Sequence, residues 1–271
     1  MNYRHAFHAG NFADCVKHAL LAWIVRALAR KAAPFRVLDT HAGRGRYDLM
    51  AEAERTGEWR DGIARILGDP PAPLAAYAGL VEELGLYPGS PLLVRALMRE
   101  GDRLACCELH PEDAAALRRL FAGDRQVAVH HRDGYEAVRA LLPPPERRGL
   151  VLLDPPFERE DEWDRLLDAL REGARRFAGG TYAAWYPIKG RAAPRAFQER
   201  VREAGLRDVV AAELWLRDPV DAARLNGCGL LVRNPPHGFE AEAPGILAAL
   251  LERVGRGEAG EGTRVARVAS E

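Results

Sequence analysis

The chain has 271 residues, 48% of them hydrophobic, and balances 39 Lys and Arg against 39 Asp and Glu. That is enough apolar material for one large α/β domain with an embellishment, or for two small domains, and it excludes the uniformly basic footprint of many nucleic-acid binders. No apolar run approaches the ~20 residues that cross a bilayer, and the opening Met-Asn-Tyr-Arg-His lacks a signal-peptide core, so a cytoplasmic protein is expected. Cys15, Cys106, Cys107 and Cys228 show no CxxC pairing, which argues against a zinc ribbon or disulfide framework, and no metal is expected.

Residues 3–18 are dense in polar and aromatic groups ahead of any core element. They read either as an arm with a capped helix, Asn11 or Asp14 being the cap, or as a cover folded over a pocket. His5, His8 and His18 lie at spacings that fit no familiar zinc set. From Asp14 to Arg30 the apolar positions Val16, Leu20, Trp23, Ile24, Ala27 and Leu28 follow a helical period. Strands are expected at 35–39, 103–108, 126–130, 149–153, 180–185, 208–215 and 228–233, with helices between most of them. That alternation predicts a mainly parallel sheet covered on both faces. The last two strands are separated by a short loop around 218–226, which suits an antiparallel pair. On strand 103–108 the adjacent Cys106 and Cys107 should face opposite sides.

One connection is too long. More than fifty residues separate the turn near Tyr47 from the strand at Arg103, where a crossover needs about a third of that. Residues 48–95 are therefore read as a helical insertion, with pieces at 62–67 and 74–84. It would overhang the site and recognise the target, or else be a surface embellishment. The main domain is then 1–47 with 96–271. The tail from Gly255 is rich in Gly, Glu and Arg and is expected to fray.

The chemistry is concentrated at strand ends. Leu150-Val-Leu-Leu153 runs into Asp154-Pro155-Pro156-Phe157, and two prolines forbid further ladder bonds, so a carboxylate sits where open α/β sheets bind ligands. Asp-Pro-Pro-Phe is the signature of amino-group methyltransferases. An exocyclic amine on adenine or cytosine has a delocalised lone pair; bonds to the Asp154 carboxylate and the Pro155 carbonyl would hold its nitrogen nearer tetrahedral geometry. Phe157 would stack on the base, worth about 1–3 kcal/mol. The same four residues also suit an ordinary Pro-rich turn. Earlier, Phe35-Arg-Val-Leu-Asp39-Thr-His41-Ala-Gly43-Arg-Gly45 is a strand ending in an acid and a Gly-x-Gly turn. The third glycine of a dinucleotide fingerprint is replaced by Asp48, so the loop fits S-adenosyl-L-methionine better than NAD. Glu108 ends the next strand and could accept ribose hydroxyls, while Asp133-Gly134 could take the donor's adenine or simply cap a helix. Lys17 and His18 would lie near the donor carboxylate, with Tyr3, Arg4 or His8 near nucleic acid. Arginines cluster after the Gly loop, including Arg60 and Arg65, and Lys189 and Arg191 follow Trp185-Tyr186-Pro187; each cluster is either a phosphate contact or a solvated face.

Taken together, Tyr3-Arg-His5-x-Phe-His8-Ala-Gly10-Asn11-x-Ala-Asp14-x-x-Lys17-His18, Leu38-Asp39-Thr-His41-Ala-Gly43-x-Gly45-Arg46-Tyr47, Arg55-Thr-Gly57-Glu58, Gly62-Ile-Ala-Arg65-Ile66, Tyr87-Pro-Gly89-Ser90-Pro91, Glu108-Leu-His110-Pro111, Asp133-Gly134, Asp154-Pro-Pro156 and Trp185-Tyr186-Pro187 closely resemble the J-type 23S rRNA (adenine(2030)-N6)-methyltransferase family. The resemblance implies a class I, Rossmann-like methyltransferase fold with a seven-stranded sheet and a small helical insertion. It implies S-adenosyl-L-methionine as donor and N6 of one adenine in 23S rRNA as acceptor, with the rRNA naked or in assembly intermediates. By motif match, Lys17, His18, His41, Gly43, Ser90, Glu108, Asp133, Gly134 and Asp154 contact the donor. Asp154, Pro155 and Phe157 serve catalysis, and Tyr3, Arg4, Arg60 and Arg65 are the expected RNA contacts. Phe157 stands where Tyr is common in the family; it keeps the stacking face and lacks the hydroxyl. The alternatives are an amino methyltransferase acting on DNA adenine, cytosine N4 or protein glutamine, and a non-catalytic RNA-binding assembly factor.

Overall fold

Helix α1, Phe12–Ala29, starts where Asn11 takes an extended conformation and its side chain accepts the Asp14 N–H, satisfying a donor that the helix leaves open. The computed structural model describes residues 7–270, except the side chain of Glu52. Most of α1 is buried, including Val16, Leu20, Leu21, Ile24 and Val25, because it packs between the sheet, α3 (Ser90–Leu97) and α8 (Phe239–Val254). Each such side chain stabilises the fold by roughly 1.5–3 kcal/mol.

In chain order, α1 is followed by β1 (Arg36–Asp39), β2 (Arg46–Tyr47), α2 (Ala72–Leu84), β3 (Tyr87–Pro88), α3, β4 (Arg103–Glu108), α4 (Pro111–Leu120), β5 (Val127–His131) and α5 (Gly134–Leu141). Next come β6 (Gly149–Leu153), α6 (Glu162–Arg176), β7 (Thr181–Ile188), α7 (Ala192–Glu203), β8 (Val209–Trp215), β9 (Gly227–Arg233), α8 and β10 (Gly262–Ala269). The main sheet has the order β10-β8-β9-β7-β6-β1-β4-β5. Pairings β1 with β4, β1 with β6, β4 with β5 and β6 with β7 are parallel, whereas β7–β9, β8–β9 and β8–β10 are antiparallel. This is the expected Rossmann-like class I architecture. The strand order reverses at β1, which places a crevice at the carboxyl ends of β1, β4 and β6. β6 is buried along its length, as a central parallel strand covered on both faces must be. Cys106 joins the apolar cluster of the α1 and α8 face and Cys107 the opposite cluster, as their adjacency predicts. All four cysteines are buried and free. Among the described residues no helix is long and apolar enough to cross a membrane.

Two features differ from the sequence reading. The tail does not fray: Gly262–Ala269 pairs antiparallel with β8 as an eighth strand. The Gly- and Glu-rich stretch before it masks a run, Thr263-Arg-Val-Ala-Arg-Val268, whose β-branched residues pack on the sheet edge while Arg267 bonds Asp208 and Glu240. The expected helix at 62–67 is only a 3-10 turn, Ile63–Arg65, bounded by Gly62 and by Gly68 with φ +88°. A small hairpin of β2 and β3 is also present.

Within residues 48–95, Ile63, Ile66, Leu74, Tyr77, Leu93 and Val94 are buried in the same cluster as Leu20 and Ile24 of α1 and Leu247 of α8. α3 is the crossover helix between β1 and β4, packing on both. The hairpin brings the chain back to the glycine loop: Gly89 N–H donates to the Gly45 carbonyl at 2.9 Å. That return places Ser90 beside β1, which no spacing in the sequence announces.

Candidate active site

Strand ends build the site. β1 delivers Asp39, Thr40 and His41, β4 delivers Glu108, the turn after β5 delivers Asp133, and β6 delivers Asp154. α1 runs across their carboxyl ends and contributes Lys17 and His18. All of these except Asp39, which lies buried beneath, line a cavity of about 580 Å3, within the usual range of small-molecule sites. Lys17, His18, His41, Gly43, Ser90, Glu108, Asp133, Gly134, Asp154, Pro155 and Phe157 all line it. The chemical and donor residues expected from the sequence are thus brought to one place.

The central ion cluster is Lys17 with two carboxylates, Nζ lying 2.9 Å from Asp14 Oδ1 and 2.7 Å from Asp154 Oδ2. Burial opposes the charge on Lys17, but the charges of Asp14 and Asp154 and the bonds to them outweigh it and hold the ammonium well above its ordinary range. Lys17 therefore contacts the catalytic-type carboxylate directly, a pairing that residues 137 apart cannot reveal in sequence. Asp154 Oδ2 accepts from Lys17, and no hydrogen bond to Oδ1 is found among the described residues. His18 is fully buried, its Nδ1 2.9 Å from the Tyr87 hydroxyl.

Glu108 secures the glycine loop, with Oε2 accepting Gly43 N–H at 2.8 Å and Oε1 accepting His110 N–H at 2.7 Å. Burial raises its carboxyl above the ordinary range, partly offset by those two bonds. Gly43 has φ +61°, a left-handed conformation that costs other residues roughly 1 kcal/mol or more. Asp39 is fully buried, and burial pushes its carboxyl up to about 7 although Ser90 Oγ donates to Oδ2 at 2.6 Å.

His41 is held neutral. Burial lowers it to about 4, against the pull of Asp154 and Asp133. Thr40 Oγ1 donates to the Leu152 carbonyl at 2.8 Å and lies 2.7 Å from His41 Nδ1, so the proton belongs on Nδ1 and Nε2 remains an acceptor. Asp133 realises the cap: Oδ1 accepts Tyr135 N–H at 2.7 Å, and Oδ2 accepts from Arg165 at 2.8 Å. Burial works against its charge, yet the Tyr135 N–H and Arg165 hold it below the ordinary range. At Gly134 a Cβ would lie 1.9 Å from the Thr40 carbonyl oxygen, so glycine is required there by the packing of α5 on the β1 loop.

Arg165, Glu162 and Tyr135 escape the sequence reading. Tyr135 donates to Glu162 at 2.8 Å, and Arg165 lies 4.4 Å over the Tyr135 ring. They occupy helices whose patterning is merely amphipathic, so no motif marks them. Phe157 has φ +51° and packs edge-on against Trp163 at 4.8 Å and Trp185 at 6.0 Å. Left-handed backbone in a non-glycine residue clusters at functional sites.

Of the expected RNA contacts, His8 lines the cavity and Arg60 and Arg65 do not. Tyr3 and Arg4 lie outside the described residues, as does His5. Arg60 pairs with Glu54 and lies 5.0 Å over the Trp59 ring, and Arg65 pairs with Asp61 at 2.7 Å; neither lines the cavity. Lys189 does line it.

A family model described as Ribosomal RNA large subunit methyltransferase D, RlmJ, matches residues 32–268. The chain is 41% identical over 263 residues to the Ribosomal RNA large subunit methyltransferase J of Escherichia coli (strain K12), covering 94% of each chain. It is also 41% identical over 262 residues to the Haemophilus influenzae protein of the same name, covering 93% of each. A crystal structure of a Legionella pneumophila protein aligns with TM-score 0.88 and 34% identity, covering 96% of this chain and 98% of that one. Together with the strand-end constellation around Asp154, these similarities establish that the chain belongs to the ribosomal RNA large subunit methyltransferase J family.

Proposed function

We propose that the protein methylates N6 of one adenine in 23S rRNA, the position equivalent to 2030 in the family, using S-adenosyl-L-methionine. The observation that carries this reading is that Asp154-Pro155-Pro156-Phe157 lines the same cavity as Glu108 and the Gly43 loop. Glu108, Gly43, His41, Ser90, Asp133, Gly134, Lys17 and His18 would hold the donor; when bound, it supplies an electrophilic methyl group. Asp154 Oδ1 and the Pro155 carbonyl accept the two N–H bonds of the adenine amine and aim its nitrogen. Lys17 on Oδ2 fixes the carboxylate and balances its charge. Phe157, braced by Trp163 and Trp185, presents a face for the base. Such a base must be extruded or unpaired, which favours naked rRNA or assembly intermediates over finished subunits. Residues 48–95 and the N-terminal Tyr3 and Arg4 are proposed to contact RNA, with Arg60 and Arg65 as the insertion's phosphate partners.

Mass mapping of protein-free 23S rRNA after incubation with enzyme and donor tests the reading. One new N6-methyladenosine is expected, and DNA should remain unmodified. Methylation of DNA adenine or cytosine instead would reassign the substrate. Tight donor binding by calorimetry without any methylation would favour the assembly-factor alternative.

A further inference from the structure

Four Lys or Arg side chains line the cavity, namely Lys17, Arg159, Arg165 and Lys189. Three are ion-paired: Lys17 with Asp14 and Asp154, Arg159 with Asp161, and Arg165 with Asp133. Lys189 is exposed and makes no ion pair among the described residues. Its backbone is nevertheless fixed. The fully buried Asn226 donates Nδ2 to the carbonyls of Lys189 at 2.8 Å and Asp221 at 2.7 Å, and its N–H donates to the Ile188 carbonyl at 3.0 Å. The backbone that carries this ammonium is thus anchored just past β7, the strand beside the one that leads to Asp154.

From Lys189 the chain turns into α7, where a second groove of about 430 Å3 opens against β8 and β10. Arg191, Arg195, Arg202, Arg264 and Arg267 line it, against Glu199 and Glu213. Arg195 is exposed and, among the described residues, has no ion pair. Arg191 bonds Asp218 at 2.8 Å, Arg202 bonds Glu199, Arg264 lies 3.6 Å from Glu213, and Arg267 bonds Asp208 and Glu240. Arg191–Asp218 and Arg202–Glu199 are exposed on both sides, and exposed pairs contribute little, so phosphate oxygens can replace those carboxylates at small cost.

We propose that Lys189, Arg191 and Arg195 form a phosphate track that carries the backbone of the acceptor RNA from the cavity mouth into the groove between α7 and β10. The proposal rests on the reading of the cavity as an RNA-modifying site. It supplies a docking surface outside the insertion, and it explains how a chain of zero net charge attracts a polyanion locally.

The test compares wild type, the double variant Lys189→Ala with Arg195→Ala, and a charge-matched control, Arg139→Ala with Arg171→Ala, whose side chains are exposed elsewhere on α5 and α6. Binding of protein-free 23S rRNA is measured from about 50 to 300 mM salt, and donor affinity by calorimetry. The track variant should lose roughly tenfold in rRNA affinity near physiological salt. Its log–log salt slope should be shallower by about 1.4–1.8, for two phosphate contacts at ~0.7–0.9 each. Control binding and all donor affinities should stay at wild-type values. Lines coinciding with those of a wild type that binds and methylates rRNA would overturn the track alone. An equal loss in the control, or a parallel loss of donor affinity, would also overturn it. A wild type with no salt-dependent rRNA affinity would overturn the functional reading itself, and the track with it.

Discussion

Asp39→Asn tests the energetics of the site most directly. Asp39 is 0% exposed at the end of β1, and burial raises its carboxyl from the ordinary 3.8 to about 7. The folded protein therefore holds a proton between about pH 4 and 7 that the unfolded chain has released. This contribution to stability is complete below about pH 4, declines as pH rises, and is lost once pH passes 7. At 1.36 kcal/mol per decade the interval corresponds to roughly 4 kcal/mol. Asparagine has nearly the same shape, still accepts from Ser90, and cannot ionise. The variant should match wild type near pH 4 and exceed it by up to ~4 kcal/mol at pH 8, a rise in Tm on the order of 8–16 °C. Urea titrations of both proteins at pH 5, 6, 7 and 8 measure the difference, in which titrations of groups not coupled to Asp39 cancel. A stability difference that does not grow with pH would refute the raised carboxyl of buried Asp39.

Replacing Asp154 with Ala should lower single-turnover methylation by at least roughly 10²–10³ while donor affinity changes only a few-fold, because the carboxylate acts on the acceptor amine; near-normal turnover would move catalysis elsewhere. Glu108→Ala removes the acceptor that ties Gly43 and His110 and should weaken donor binding by about 1–3 kcal/mol, read from calorimetric isotherms; an unaltered Kd would make Glu108 purely structural. Arg60→Ala with Arg65→Ala should reduce the salt slope of rRNA binding by about one per lost phosphate contact. An unchanged slope would leave these arginines to their local pairs with Glu54 and Asp61.

The sequence by itself determined the periodic elements and the strand ends. Short continuous apolar runs placed the main strands, which are buried on both faces, and period-3.6 patterning placed α1, because burial of apolar surface is a local requirement. Asp154-Pro-Pro-Phe and the Gly43 loop were legible because backbone constraints, the fixed φ of two prolines and the positive φ of Gly43 and Gly45, demand particular residue types at closely spaced positions. Tertiary structure alone decided the contacts between distant segments. Lys17 meets Asp154 only because α1 crosses the carboxyl end of β6, and Ser90 meets Asp39 only because the hairpin of β2 and β3 folds the chain back. The pairing of Arg165 with Asp133 needs α6 packed on α5. The eighth strand was invisible for a related reason: an edge strand with one neighbour carries half the apolar pattern of a central one, and β8 supplies its partner from some fifty residues earlier. Charge, burial and reach across the sheet are properties of the packed chain, and they set which of the legible residues touch.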